Sequence, residues 1–142
     1  MYIQFDYDKA VIKPEYYPKL DVITKVLQRD PGATARIEGH ADKLKKSKAD
    51  HNTKLSKLRA GSVLNYLADQ GGIARSRMAA HGYGFDRPKA VNDPINGNPV
   101  NRRVEVYIRR SAQGLADAAA AATSVVPAAP APAAGAAADV AP

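Results

Sequence analysis

The chain has 142 residues, of which 45% are apolar, which suits a single domain with a real core. It contains no cysteine, so disulfides and thiolate chemistry are excluded, and no apolar run approaches the roughly 18 residues that a membrane span needs. The formal charge is +7; residues 111–142 hold two aspartates and no Lys or Arg, so residues 1–110 carry +9, a balance that favours polyanions such as nucleic acid, anionic lipid or acidic wall polymers.

Tyr2-Ile3-Gln4-Phe5 alternates in period 2 and reads as a strand, followed by turn residues Asp6-Tyr7-Asp8-Lys9. No signal peptide precedes it. A chain that opens on a core strand is expected to be a piece of something longer, with any signal or membrane anchor upstream of Met1. From Pro14, the apolar residues Tyr16, Leu20, Ile23 and Leu27 share one helix face, and Pro31-Gly32 closes that helix. Ala33 to Glu38 alternates again and delivers Gly39-His40-Ala41-Asp42 to a strand C-terminus, where α/β proteins tend to place ligands.

A second helix is expected to start near Ser47 or Asp50, either of which can cap it, and to end at Gly71-Gly72. On a helical wheel Leu55, Ala60, Val63, Leu64, Tyr66 and Leu67 share an apolar arc. Asn52 and Arg59, seven apart, fall inside it. An arginine turned towards a core strands a charge unless it is paired; an internal salt bridge and a bound anion both satisfy that need. Arg77 to His81 reads as a third strand entering Gly82-Tyr83-Gly84, the stretch from Phe85 to Asn101 as irregular surface, and Val104, Val106 and Ile108 mark the last strand. The order β-α-β-α-β-β implies an α/β two-layer sandwich, with two main helices on one face of a mixed sheet. Residues 1–110 form the domain. Residues 111–142, half alanine and dotted with proline, are expected to be a flexible tail, with a weak helical signal around Leu115 to Ala122.

Few constellations support chemistry. His40, Asp42 and His51 fit no metal-ligand spacing, and neither a nucleophile elbow nor a phosphate-cradling loop is present. No enzyme activity, metal or cofactor is therefore expected. The run Lys43, Lys45, Lys46 and Lys48 reads as a solvated loop or as a non-specific polyanion contact. The lack of aromatics interleaved with these lysines argues against nucleic acid. Tyr83 reads as a turn aromatic packed on the sheet.

Four blocks in order carry a family likeness: Ile37-Glu38-Gly39-His40-Ala41-Asp42; Asn52 to Ala60 with Val63 and Leu67; Gly82-Tyr83-Gly84 with Pro88; and Asn101-Arg102-Arg103-Val104-Glu105. Across residues 2 to 110 the chain resembles the OmpA-like domain, the peptidoglycan-binding module of OmpA C-terminal domains, Pal lipoproteins and MotB-type stator subunits. The resemblance implies a non-catalytic module in the periplasm of a diderm bacterium, associated with the outer membrane or cell wall, that tethers a membrane-anchored parent to the wall. Its implied ligand is the side-chain end of meso-diaminopimelate, which presents an ammonium and a carboxylate on one carbon. Asp42 would take the ammonium and Arg59 the carboxylate, with Asn52, Arg102, Tyr7 and Asp8 as further ligand-binding positions. The departure is the loop: Asp42 to Asn52 is a step of ten with no glycine in between, where the family has a shorter, glycine-containing loop. The alternative reading is a basic module that binds nucleic acid or other polyanions through Lys43 to Lys48.

Overall fold

The structure is a computed structural model and describes residues 1–44, 47–116 and 119. Four strands, β1 (Tyr2–Gln4), β2 (Thr34–Gly39), β3 (Met78–Gly82) and β4 (Arg103–Arg109), form one mixed sheet in the order β1-β4-β2-β3. The last strand is thus central. It runs antiparallel to both β1 and β2, pairing Ile3 with Val104 and Ile37 with Val106, while β2 and β3 are parallel. Helix α1 (Tyr17–Arg29) is led in by a 3-10 turn at Pro14–Tyr16, and α2 (Ala49–Asp69) is the crossover between β2 and β3. The two-layer sandwich read from the sequence is the observed architecture.

Alternation decides which face each strand buries. Ile3 and Phe5, then Ala35 and Ile37, then Val104, Val106 and Ile108 meet Leu20, Ile23 and Leu27 of α1 and Ala60, Val63 and Leu67 of α2 in a single core. Helix α2 lies close on the sheet because glycines admit it. A Cβ at Gly39 would overlap the backbone carbonyl of Ser56, so the strand that leads to Asp42 is held directly beneath the helix that carries Asn52 and Arg59.

One cap and one boundary differ from the sequence reading. Lys48 occupies the N-cap of α2 without a side-chain bond; Ser47 Oγ instead accepts from Leu44 N at 2.8 Å, closing the turn before the helix rather than capping it. Arg77 lies in a 3-10 turn (Arg75–Arg77), and β3 begins at Met78, because the Arg77 side chain is drawn inward to the carbonyls of Leu27, Asp30 and Ala33. After β4, Ser111 N donates to Asp30 Oδ2 at 3.0 Å, so the chain returns to the end of α1. Residues 112–116 then turn helically, with Leu115 N donating to Ser111 O at 3.0 Å, where the sequence carries a weak helical signal; residues 117, 118 and 120–142, together with Lys45 and Lys46, lie outside the described residues. Among the described residues no helix is long and apolar enough to cross a membrane.

Candidate ligand-binding site

A cavity of about 220 Å³ opens between the loop after β1 and the start of α2. Tyr7 and Asp8 from the loop, Asp42 beyond the end of β2, and Asn52 in the first turn of α2 line it, with Leu44, Lys48 and His51. Four of the six candidate residues therefore line one cavity, and Arg59 and Arg102 are not among its lining residues. Arg102 reaches the same place from behind Asp42: its Nη1 donates to Asp42 Oδ2 at 3.2 Å, and its Nε donates to Phe5 O at 3.0 Å.

Asp42 is only 4% exposed. Part of its cover is the turn at Asn96-Gly97. Gly97 sits at φ 68°, and a Cβ there would overlap Asp42 Oδ2, so both the backbone conformation and the close approach call for glycine. Fully buried Asn101 ties that loop down. It accepts from Lys89 N and Ala90 N, and donates to Ala90 O at 2.8 Å and Asn92 Oδ1 at 2.9 Å. Asn92 Oδ1 in turn accepts from Lys43 N, so the chain on the far side of Asp42 is held by the same network.

Arg59 is fully buried, and its partners are carbonyls. Nε donates to Lys9 O (2.8 Å), Nη1 to His40 O (2.9 Å) and Nη2 to Asp6 O (3.1 Å), with the guanidinium 5.4 Å from the Phe5 ring. A guanidinium has five N–H groups, which leaves two without a partner among the described residues. Burial pushes its pKa down to about 10; Asp42 pulls the other way. The ion pair of Asp42 is with Arg102, not Arg59. Between them Arg59 and Arg102 grip the carbonyls of Phe5, Asp6 and Lys9. That grip shapes the loop on which Tyr7 and Asp8 sit, where Asp8 is held at φ 55°, a left-handed conformation that costs about 1 kcal/mol or more in a non-glycine residue.

Asn52 is 6% exposed, and its Nδ2 has no partner. A buried amide donor left free facing a cavity costs about 1–3 kcal/mol, a cost that an incoming acceptor would remove. At the mouth, His51 Nε2 lies 2.6 Å from Asp8 Oδ1.

His40, Asp42 and His51 point to three different partners. His40 is 2% exposed, stacks on Tyr83 at 5.5 Å between ring centroids, and lies within 4.8 Å of Glu38 and Glu105 carboxylate oxygens. Arg36 holds Glu38 and Arg103 holds Glu105, so this cluster is charge-balanced as it stands. Burial, followed by the nearby Arg103, drives the His40 pKa down to about 4. Tyr83 packs on the sheet, as its place between two glycines suggests, with its hydroxyl bonded to Arg36 and Arg87 over its ring at 3.8 Å. Sequence reasoning gave no role to Gly97 or Asn101; the Asn-Gly turn and the asparagine leading Asn-Arg-Arg were the available signals.

A profile of the OmpA family matches residues 4–102. Outer membrane porin F of Pseudomonas fluorescens is 37% identical over 111 residues, covering 78% of this chain and 33% of the porin. The peptidoglycan-associated lipoprotein of Brucella melitensis is 35% identical over 101 residues, 71% of this chain and 58% of the lipoprotein. Among solved structures, the cell wall anchor of the T6SS from Pseudomonas aeruginosa matches with a TM-score of 0.61 at 29% identity, covering 78% of this chain and 79% of that one. The chain thus spans about a third of the length of the porin it matches. With the profile running from the end of β1 to the residue before β4, and the sheet and helices shared with that anchor, the chain belongs to the OmpA family.

Proposed function

We propose that residues 1–110 form a non-covalent peptidoglycan-binding module that takes the zwitterionic end of meso-diaminopimelate at the Asp42 cavity, with residues 111–142 as an appended tail. The observation that carries the reading is the pairing in one cavity of a nearly buried carboxylate, Asp42, with a buried and unpartnered amide donor, Asn52. Asp42 accepts from the ligand ammonium. The Asn52 amide is the donor in the cavity lining for the ligand carboxylate; Arg59, fully buried and outside that lining, adds its positive charge, and Arg102 orients Asp42. A lone carboxylate would accept any amine; requiring both charges is what selects. Tyr7 and Asp8 form the outer wall. The names of relatives support the class of ligand, since one is a peptidoglycan-associated lipoprotein and another a cell wall anchor. None of the relatives described above is an enzyme by name, and no catalytic step is assigned to this chain. The setting that follows is the periplasm of a diderm bacterium, with the module joined to a parent protein of the outer membrane or cell wall.

Charge-assisted hydrogen bonds contribute about 1.5–3 kcal/mol each, and association entropy offsets much of their sum. A net near −4 kcal/mol corresponds to about millimolar affinity. That is adequate for a tether, because the wall repeats its ligand and an anchored protein meets it at high effective concentration.

Pelleting with purified sacculi tests the reading. Asp42→Asn and Asn52→Ala are expected to leave most of the protein in the supernatant, and Lys43→Gln/Lys48→Gln to reduce pelleting only at low salt. If instead the lysine variant abolishes pelleting at every salt concentration while Asp42→Asn pellets normally, the polyanion reading replaces this one.

A further inference from the structure

The face of the sheet turned away from the helices carries a second cavity. It has a volume of about 280 Å³, lies along the β1 edge, and shares no lining residue with the Asp42 cavity. Its walls include Tyr2 from β1, Tyr16 from the 3-10 turn, Lys19 from the start of α1, Lys89 from the loop before β4, and Arg103 from β4. No acidic side chain lines it.

Arg103 is the unusual member. It is 5% exposed, yet only two of its three nitrogens are used: Nε donates to Glu105 and Nη2 to Arg87 O at 3.1 Å, while Nη1 has no hydrogen-bond partner. A buried guanidinium nitrogen with nothing to donate to is costly, and the cost falls when an acceptor arrives. Two lysines line the same cavity. Lys89 Nζ lies 4.3 Å from the Tyr2 ring centroid and bonds to the Tyr2 hydroxyl, and Lys19 Nζ lies 5.4 Å from the Tyr16 ring. Among the described residues neither lysine is in an ion pair. Three cations thus line one cavity, and Glu105, the acid bonded to Arg103, is also held by Tyr107.

We infer that this cavity is a second, separate binding site, for a small oxyanion group, a carboxylate or a phosphate, held by Arg103 Nη1 and clamped by Lys19 and Lys89. The planar guanidinium supplies direction; the two ammonium groups supply charge without a fixed geometry, which is why either anion type is admitted. The site does not depend on the diaminopimelate reading, because its residues and its ligand charge are different.

Chemical-shift titration of the whole chain with sodium phosphate, and separately with sodium acetate, at constant ionic strength set by sodium chloride, tests it. Saturable shifts are expected at Tyr2, Gln4, Lys89 and the Arg103 side-chain Nε–H. Saturation by phosphate alone assigns a phosphate group, by acetate alone a carboxylate, and by both the shared chemistry; saturation by neither overturns the proposal. Lys19→Gln/Lys89→Gln, at exposed positions where the fold tolerates change, should weaken binding about tenfold, within the range for two surface ion pairs. The control Lys25→Gln/Lys54→Gln should change it less than about twofold, and an equal loss in the control would reduce the effect to net charge and overturn the site. Asp42→Asn should leave the phosphate titration as it is while removing sacculus binding. If it removes both, the anion response belongs to the Asp42 cavity and the second site does not exist.

Discussion

Replacing Arg59 by lysine keeps the charge and removes the shape. In the native chain one planar group joins three carbonyls from two segments, Asp6 and Lys9 in the loop after β1 and His40 beyond β2. A single ammonium cannot reach all three. Losing two bonds of about 1.5–3 kcal/mol each, with water replacing part of the loss at the partly buried loop carbonyls, gives a destabilisation of roughly 3 kcal/mol. Burial adds to it. The same surroundings that bring the arginine down to about 10 act on a lysine whose ordinary pKa is already about 10.4, and therefore drive it towards the neutral form. Equilibrium urea unfolding followed by circular dichroism, with a slope of about 1.5 kcal/mol per molar, should show a midpoint roughly 2 M lower for Arg59→Lys. The amides of Asp6 to Lys9 should exchange faster in the variant than in wild type. A midpoint shift equivalent to less than about 0.5 kcal/mol, with unchanged exchange in that loop, would refute the view that Arg59 holds the site together.

Three further outcomes follow from the same coordinates. His40 has a folded pKa of about 4 against an ordinary value of 6.5, so between those values the unfolded chain binds the extra proton; stability contributed by neutral His40 is complete above about pH 6.5 and is lost as pH falls towards 4, by roughly 3 kcal/mol. The urea midpoint of wild type should therefore fall relative to that of His40→Phe on acidification, and parallel curves would contradict the assignment. Gly97→Ala forces a side chain both into a positive-φ position and against Asp42 Oδ2; it should cost about 1–2 kcal/mol and weaken sacculus binding, whereas binding equal to wild type would show that the turn does not position the carboxylate. Gly39→Ala drives a Cβ into the Ser56 carbonyl of α2 and should destabilise by about 3 kcal/mol, measured by thermal unfolding; a melting temperature within about 2 °C of wild type would mean that helix and strand separate at little cost.

Much of the fold was legible because periodicity reports burial. The alternation of Val104, Val106 and Ile108 and the helical spacing of Leu20, Ile23 and Leu27 each survive in the structure as core faces. The position of Arg59 on the apolar arc of α2 was visible too, but its partners were not. Three main-chain carbonyls leave no trace in side-chain identity, so a charged residue facing the core could be read only as needing some partner. Alternation also misleads in one place. Glu38, Arg103 and Glu105 stand on the face away from the helices yet are buried, because the Tyr83 turn with Arg36 and Arg87 covers them there. Neighbours distant in sequence made that face dry. The sheet order, with the last strand inserted between the first two, rests on the same kind of long-range pairing. The pocket shows the limit most clearly. Asp42 and Asn52 were identified by family likeness and found in one cavity, while the roof at Gly97 and the pin at Asn101 belong to a stretch whose composition signals only a turn-rich loop.

The central claim is that the Asp42 cavity reads two opposite charges on one carbon. Titrating the protein with meso-diaminopimelate and with L-lysine capped at its α-amino and α-carboxyl groups separates that from simple amine binding, because the capped lysine offers only the ammonium. Saturable shifts at Asp42, Asn52 and the Arg59 side chain are expected for meso-diaminopimelate, at about millimolar concentration, with a response at least about tenfold weaker for the capped lysine, the loss of one charge-assisted contact. Equal responses to both, or a meso-diaminopimelate response that persists unchanged in Asp42→Asn, would contradict it.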